Sequence, residues 1–65
     1  MTDNHIYDLM AQLVEENKSI WRIRNMYLVD TDKHAECQKF FSKLLDKKEA
    51  TVVELTQLIK YELIK

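Results

Sequence analysis

The 65-residue chain contains neither glycine nor proline, and this absence limits its fold more than any other feature. These two residues supply most of the turns, bulges and helix ends in proteins. A β-rich fold would therefore have almost no turn-forming residues, whereas long helices need few of them. The candidate break near the middle of the chain is Asp30-Thr31-Asp32. The sequence therefore predicts an all-α chain with one interruption.

The apolar pattern on either side of this break predicts two helices that fold back on each other. We expect a single domain over residues 1–65, with helix 1 at about 4–29, a turn at about 30–31 and helix 2 at about 32–63. Side chains that can cap a helix stand at both predicted starts, namely Asp3 and Asn4 for helix 1, and Asp30, Thr31 and Asp32 for helix 2. The predicted fold is an antiparallel two-helix hairpin.

The apolar residues of helix 1 are too widely spread for one neighbouring helix. Two apolar series with seven-residue spacing run side by side along it, and together they cover an arc of roughly 200°. A chain of this size also needs a disulfide, a bound metal or self-association to be stable, and its single cysteine cannot form an internal disulfide. We therefore predict a homodimer of hairpins that forms a four-helix bundle. The predicted interface residues are Ile6, Leu13, Val14, Ile20, Trp21, Phe40, Phe41, Leu55 and Ile59.

Four polar residues are predicted to set the pairing of the helices, and these are Asn17, Arg24, Glu36 and Lys48. If the turn lies at residues 30–31, residue i of helix 1 lies opposite a residue near 60 − i of helix 2. This register puts Arg24 across from Glu36, so we expect a salt bridge beside the turn. It also brings Lys48 within reach of Glu16. A polar residue in a helical seam often fixes the pairing, and the alternative is a polar or metal-binding notch.

Candidate chemical sites are few. His34 and Cys37 are three residues apart and suit zinc, but a structural zinc site needs four ligands, and we expect Cys37 to be a small apolar core residue. Glu15 and Glu16 are adjacent, so on a helix they point about 100° apart and make no acid–base pair. The sequence thus predicts no enzyme activity and no cofactor. Metal binding by Glu16, Glu49, His34 or Cys37 is left open.

Charge and hydropathy predict a soluble cytoplasmic protein. The net charge is −1 and is evenly divided between the halves, which argues against a nucleic-acid partner. The longest apolar run, Met26 to Val29, is far shorter than the roughly 20 residues that cross a bilayer. The N-terminus is polar and acidic, unlike a signal peptide, and one thiol fits a reducing compartment. We expect a protein partner or a second copy, and no membrane.

The turn segment, Val29-Asp30-Thr31-Asp32-Lys33-His34-Ala35-Glu36-Cys37, resembles the turn of Rop-type helical hairpins. Members of that family dimerise into four-helix bundles and bind RNA, so the resemblance implies this architecture and an RNA-binding regulator as one alternative. Lys39, Lys43 and Lys47 follow on helix 2 at four-residue spacing. Such a stripe suits either an ordinary solvated face or a phosphate backbone.

The segment from Asp46 to Leu55, DKKEATVVEL, resembles the second helix of a ferritin-like hairpin. In that family a Glu-x-x-His motif and a Glu on the neighbouring helix bind two irons. The resemblance implies that Glu49 begins the motif and that Glu16 is the neighbouring ligand, with Val52 at the histidine position. A metal or redox protein with a degenerate site is therefore the first alternative, and the RNA-binding regulator is the second. The expectation favoured by the whole chain is a small structural or protein-interaction module.

Overall fold

A computed structural model describes residues 4–64, which form a helical hairpin of 51 × 16 × 12 Å. Its first arm consists of α1 (Asn4–Arg22), a π-helical segment (Ile23–Tyr27) and α2 (Leu28–Asp30), which continue one another. The second arm is α3 (Ala35–Ile64). The prediction of two antiparallel helices is confirmed over this range. Asp3, one of the two predicted caps of helix 1, lies outside the described residues.

The turn lies a few residues later than predicted. Asp30 belongs to the first arm, residues 31–33 make the turn, and α3 begins at Ala35 rather than at residue 32. The Thr31 hydroxyl donates to the Tyr27 carbonyl at 2.7 Å, so Thr31 caps the end of the first arm. In the first turn of α3 the Gln38 N–H donates to the His34 carbonyl at 2.9 Å. The predicted capping of helix 2 by residues 30–32 is therefore wrong.

The two arms meet along a seam in which residues spaced alternately three and four apart are buried or half-buried. In the first arm these seam residues are Ile6, Leu9, Leu13, Glu16, Ile20, Ile23 and Tyr27. In α3 they are Gln38, Phe41, Leu45, Lys48, Val52, Leu55, Ile59 and Glu62. Both series keep the heptad spacing of a two-stranded antiparallel coiled coil. Each arm therefore contributes a single helix face to the seam.

The core of this seam is thin. Within residues 4–64, four apolar side chains are buried, and they are Ile20, Ile23, Leu55 and Ile59. Ile23 is the most enclosed, with 1% of its surface exposed. Near the turn, the rings of Tyr27 and Phe41 pack with centroids 5.1 Å apart. A hairpin with so little buried apolar surface has a small hydrophobic contribution to its stability.

A π-helical segment, which the sequence did not predict, interrupts the first arm. The Leu28 N–H donates to the Ile23 carbonyl, five residues back instead of four. Such a segment accommodates one extra residue in the helix and shifts the phase of everything after it. Tyr27 and Leu28 are consequently both half-buried.

Candidate interaction surface

The first arm carries a second, mainly apolar series, one residue after the seam series, that lies on the flank of the seam and is left uncovered by α3. We call it the outer stripe, and its members are Tyr7, Met10, Val14, Asn17 and Trp21, all exposed. They follow the same alternation of three and four residues as the seam. Trp21 is 59% exposed and Val14 is 53% exposed. The outer stripe therefore has the pattern of a second helix-pairing surface that no part of the described hairpin covers.

The apolar surface of the outer stripe extends onto the neighbouring flank of α3. A shallow depression on this flank is lined by Asn17, Ile20, Arg24, Glu49, Val52 and Val53. Val53 is an exposed apolar residue of α3, and it lies beside the stripe there. A second shallow groove, lined by Tyr7, Met10, Ala11, Val14 and Glu15, follows the stripe toward the N-terminal end of α1. The whole surface is thus an apolar strip with one amide, Asn17, near its middle.

The predicted Arg24–Glu36 salt bridge is wrong. The Arg24 guanidinium donates to Glu49 at 2.6 Å, and both Arg24 and Glu36 are exposed rather than enclosed in the seam. The reason is the register, since the later turn moves every pair several residues toward the C-terminus. Asn17 is likewise exposed on the outer stripe and lies outside the seam in which it was predicted to set the pairing. The bridge that forms, between Arg24 and Glu49, spans the flank next to the outer stripe.

The predicted contact between Lys48 and Glu16 is confirmed. The Lys48 ammonium donates to the Glu16 carboxylate at 2.9 Å, and both residues belong to the seam series. Their side chains are only 24% and 13% exposed. An ion pair with this little water costs desolvation, and losing either charge leaves the other one poorly solvated. Lys48 and Glu16 therefore form a polar contact across the seam, reaching over about one helical turn.

A third pair joins the open ends of the two arms. Nε2 of His5 lies 2.7 Å from Oε1 of Glu62, with side-chain exposures of 61% and 16%. A turn at residues 30–31 would place the start of α1 opposite residues near 55 and leave the last two turns of α3 without a neighbouring helix. The observed register instead brings the last turns of α3 beside the start of α1. The two arms therefore end nearly level, and the exposed apolar residues near the C-terminal end, such as Leu63 and Ile64, do not project as an overhang.

The candidate metal ligands do not lie together in one site. Glu16 accepts from Lys48 and Glu49 accepts from Arg24, so each carboxylate of the ferritin-like pattern is bound to a cation of the opposite arm. Cys37 is exposed, which corrects the prediction of a core cysteine. Within residues 4–64, no three His, Cys, Asp or Glu side chains are grouped closely enough to hold a metal ion. The arrangement offers no observation in favour of metal chemistry.

The predicted interface residues divide into two sets. Six of them belong to the seam inside the hairpin, and they are Ile6, Leu13, Ile20, Phe41, Leu55 and Ile59. Val14, Trp21 and Phe40 are exposed. Sequence reasoning merged the seam and the outer stripe into one wide arc and so omitted Tyr7 and Met10 from the predicted interface. The alternation of three and four residues through Tyr7, Met10, Val14 and Trp21 was the signal that would have separated the two.

The lysine stripe lies on the outer face of α3. Lys39, Lys43 and Lys47 are all exposed. Glu36 precedes Lys39 by three residues and Asp46 follows Lys43 by three, and such spacings put acid and base on the same helix face. The stripe is therefore interleaved with acidic side chains. None of the helices described in residues 4–64 has the length and apolar character needed to span a bilayer.

No protein-family model, curated protein or solved structure matches this chain. The resemblances to Rop-type and ferritin-like hairpins therefore stay predictions.

Proposed function

We propose that this chain is a small protein-interaction module that works as a self-associated helical bundle, in which two hairpins pair to make four helices. The observation that carries the proposal is the outer stripe. Its four apolar members, Tyr7, Met10, Val14 and Trp21, are all exposed, and they sit beside a seam with few buried residues. Contiguous apolar surface of this kind is typical of sites where another macromolecule binds. Small scaffolds commonly gain their missing stability through such association.

The shape of the surface supports a helical partner. The outer stripe repeats the alternation of three and four residues by which the two arms pair inside the hairpin. A helix laid along it would pack by the same geometry, in which side chains of one helix enter the spaces between those of the other. Aromatic residues and Arg are also favoured at the centre of interfaces. Trp21 and Tyr7 belong to the outer stripe, and Arg24 lies beside it. The surface therefore suits a protein helix better than a small molecule.

Charge gives no comparable support to a nucleic-acid partner. The chain has 10 basic and 11 acidic side chains, and a phosphate backbone is bound by a surface with a clear excess of positive charge. Acidic residues also interleave with the lysines of α3 along its outer face. We therefore argue for an interaction module and not for an RNA-binding regulator.

Sedimentation equilibrium over a range of protein concentrations tests this proposal. We expect wild-type protein to sediment as a dimer at micromolar concentration. Val14→Gln, in the middle of the outer stripe, should weaken association at least about tenfold, because each copy loses apolar contact there. Val29→Gln is the matched control, since Val29 is also an exposed valine of the first arm, 63% against 53% for Val14.

Helical content measured by circular dichroism should be the same in both variants, because neither valine belongs to the seam. Wild-type protein that sediments as a monomer up to high micromolar concentration would refute the proposal. Equal effects of Val14→Gln and Val29→Gln on association would show that the outer stripe is not the surface involved.

A further inference from the structure

We propose that two copies pair through the outer stripe of α1 with their α1 helices antiparallel, and that the two-fold axis passes between Val14 and Asn17. This inference rests on the proposed function and adds the surface, the orientation and the register of the dimer. The occupant of the outer stripe is thus the outer stripe of a second copy. The interface is isologous, as in most homodimers.

The spacing of the outer stripe fits such a pairing. In antiparallel coiled coils each layer joins the two different positions of the three-and-four alternation. Tyr27 and Phe41, which pack at 5.1 Å inside the hairpin, form a layer of this type. The same rule applied to two outer stripes places Val14 of one copy against Asn17 of the other, and Met10 against Trp21. In this register every apolar member of the outer stripe from Met10 to Trp21 faces the other copy.

Charge along α1 decides the orientation. On the solvent side of the outer stripe, exposed acidic residues come first, at Asp8 and Glu15, and exposed basic residues follow, at Lys18 and Arg22. In the antiparallel register Asp8 lies beside Arg22 of the other copy. Glu15 lies near the two-fold axis, where it meets both Glu15 and Lys18 of the other copy. A parallel pairing would put Asp8 beside Asp8 and Arg22 beside Arg22. Like charges across an interface are unfavourable and select against that arrangement.

Asn17 explains the register. It is the one polar member of the outer stripe, and the proposed axis brings the two Asn17 side chains close to each other. An amide has both donor and acceptor groups, so the two can hydrogen bond across the axis. Each Asn17 shares a layer with Val14 of the other copy, and the two amides lie in neighbouring layers about 4.5 Å apart along the helix axis. A shift by one layer toward Tyr7 would separate them by about 15 Å and leave both amides unpaired. A single asparagine in a helical seam fixes pairing in this way, so Asn17 sets the register between copies and not within the hairpin.

The surface area is consistent with a dimer. The chain exposes 5277 Å², whereas a compact folded monomer of 7.8 kDa is expected to expose about 4,400 Å². The excess is of the same size as the roughly 800 Å² that each partner buries in a standard protein interface. The hairpin therefore has about as much surplus surface as one such interface removes.

Disulfide cross-linking of single-cysteine variants tests the orientation and the register together. In a Cys37→Ser background, Ala11→Cys and Lys18→Cys place thiols on the solvent edge of the outer stripe. In the proposed dimer, residue 11 of one copy and residue 18 of the other lie about 3 Å apart along the helix axis. Two copies of residue 11 are about 14 Å apart along the axis and two copies of residue 18 about 7.5 Å, both beyond the Cα separation that a disulfide spans.

The two variants are mixed in denaturant under reducing conditions, refolded together and oxidised with glutathione. We expect the mixture to form cross-linked dimers at least about tenfold faster than either variant alone. Met10→Cys in the same background is the control for orientation. It should not cross-link to itself in an antiparallel dimer, whereas it would do so readily if the helices were parallel.

Each other outcome overturns the inference in a distinguishable way. Rapid self-cross-linking of Met10→Cys, without preferential cross-linking in the mixture, would establish a parallel dimer. A dimer by sedimentation in which no variant cross-links would place the interface elsewhere and leave the proposed function standing. A wild-type chain that stays monomeric would refute the inference and the proposed function together.

Discussion

Substitution of the ion pair between Lys48 and Glu16 is the strongest single test of how the two arms of this hairpin pack together. We expect Lys48→Met to destabilise the protein by about 2 kcal/mol. The substitution keeps the length of the side chain and leaves the Glu16 carboxylate, only 13% exposed, without its cation. Stranding one partner of a fully buried pair costs about 3–5 kcal/mol, and the partial exposure of both side chains lowers that figure.

The reverse substitution should cost less. Glu16→Leu leaves the Lys48 ammonium unpaired, but its side chain is 24% exposed and its flexible stem can carry the charge to water. We therefore expect a loss of about 1 kcal/mol. The double variant, Glu16→Leu with Lys48→Met, replaces the pair by an apolar layer and should be as stable as wild type or more so. The three variants thus predict a strong and non-additive coupling.

Thermal unfolding followed by far-UV circular dichroism measures these differences. A loss of about 2 kcal/mol lowers the melting temperature of a domain of this size by roughly 8–16 °C. All variants must be compared at one protein concentration, because association would add to apparent stability. Additive losses in the double variant would refute the reasoning, since they would mean that Glu16 and Lys48 do not interact across the seam in solution.

Three further predictions follow from particular contacts. Arg24→Gln should change the free energy of unfolding by less than about 1 kcal/mol, because Arg24 and Glu49 are 53% and 45% exposed and water screens their attraction; a larger loss in thermal unfolding would contradict this. Ile23→Ala should cost about 3 kcal/mol or more, because Ile23 is 1% exposed and the substitution leaves a cavity, so a urea titration should show little folded protein remaining. The fluorescence of Trp21 should shift to longer wavelength on dilution as its cover by a second copy is lost, whereas an emission maximum independent of concentration would show that Trp21 stays exposed.

The sequence by itself predicts two helices joined by one turn. A sequence without glycine or proline cannot make frequent turns, and only the acidic segment near residue 30 interrupts two long apolar patterns. The contact between Lys48 and Glu16 was also accessible from sequence. Both residues lie in the middle of their helices, and the reach of the lysine side chain absorbs an error of one helical turn in the assumed register.

Local sequence could not determine the register. Asp30, Thr31 and Asp32 can each end one helix or begin the next, and the choice depends on which hydrogen bonds the folded turn satisfies. Thr31 bonds back to Tyr27, so the turn lies later than predicted and Arg24 meets Glu49 instead of Glu36. The π-helical segment adds a further shift in phase, and nothing in the apolar pattern of residues 23–27 distinguishes it from an ordinary α-helical turn.

Only the tertiary structure decided which apolar series of α1 packs inside the hairpin. The series through Leu13 and the series through Val14 are offset by one residue and have the same spacing, so periodicity alone does not distinguish them. A single helix such as α3 can cover only one of them, and it packs against the series that holds Ile20 and Ile23. The other series, with Val14 and Trp21, is left exposed. The sequence by itself determined that α1 has more apolar surface than one partner helix can bury, and the packing of α3 determined where the surplus lies.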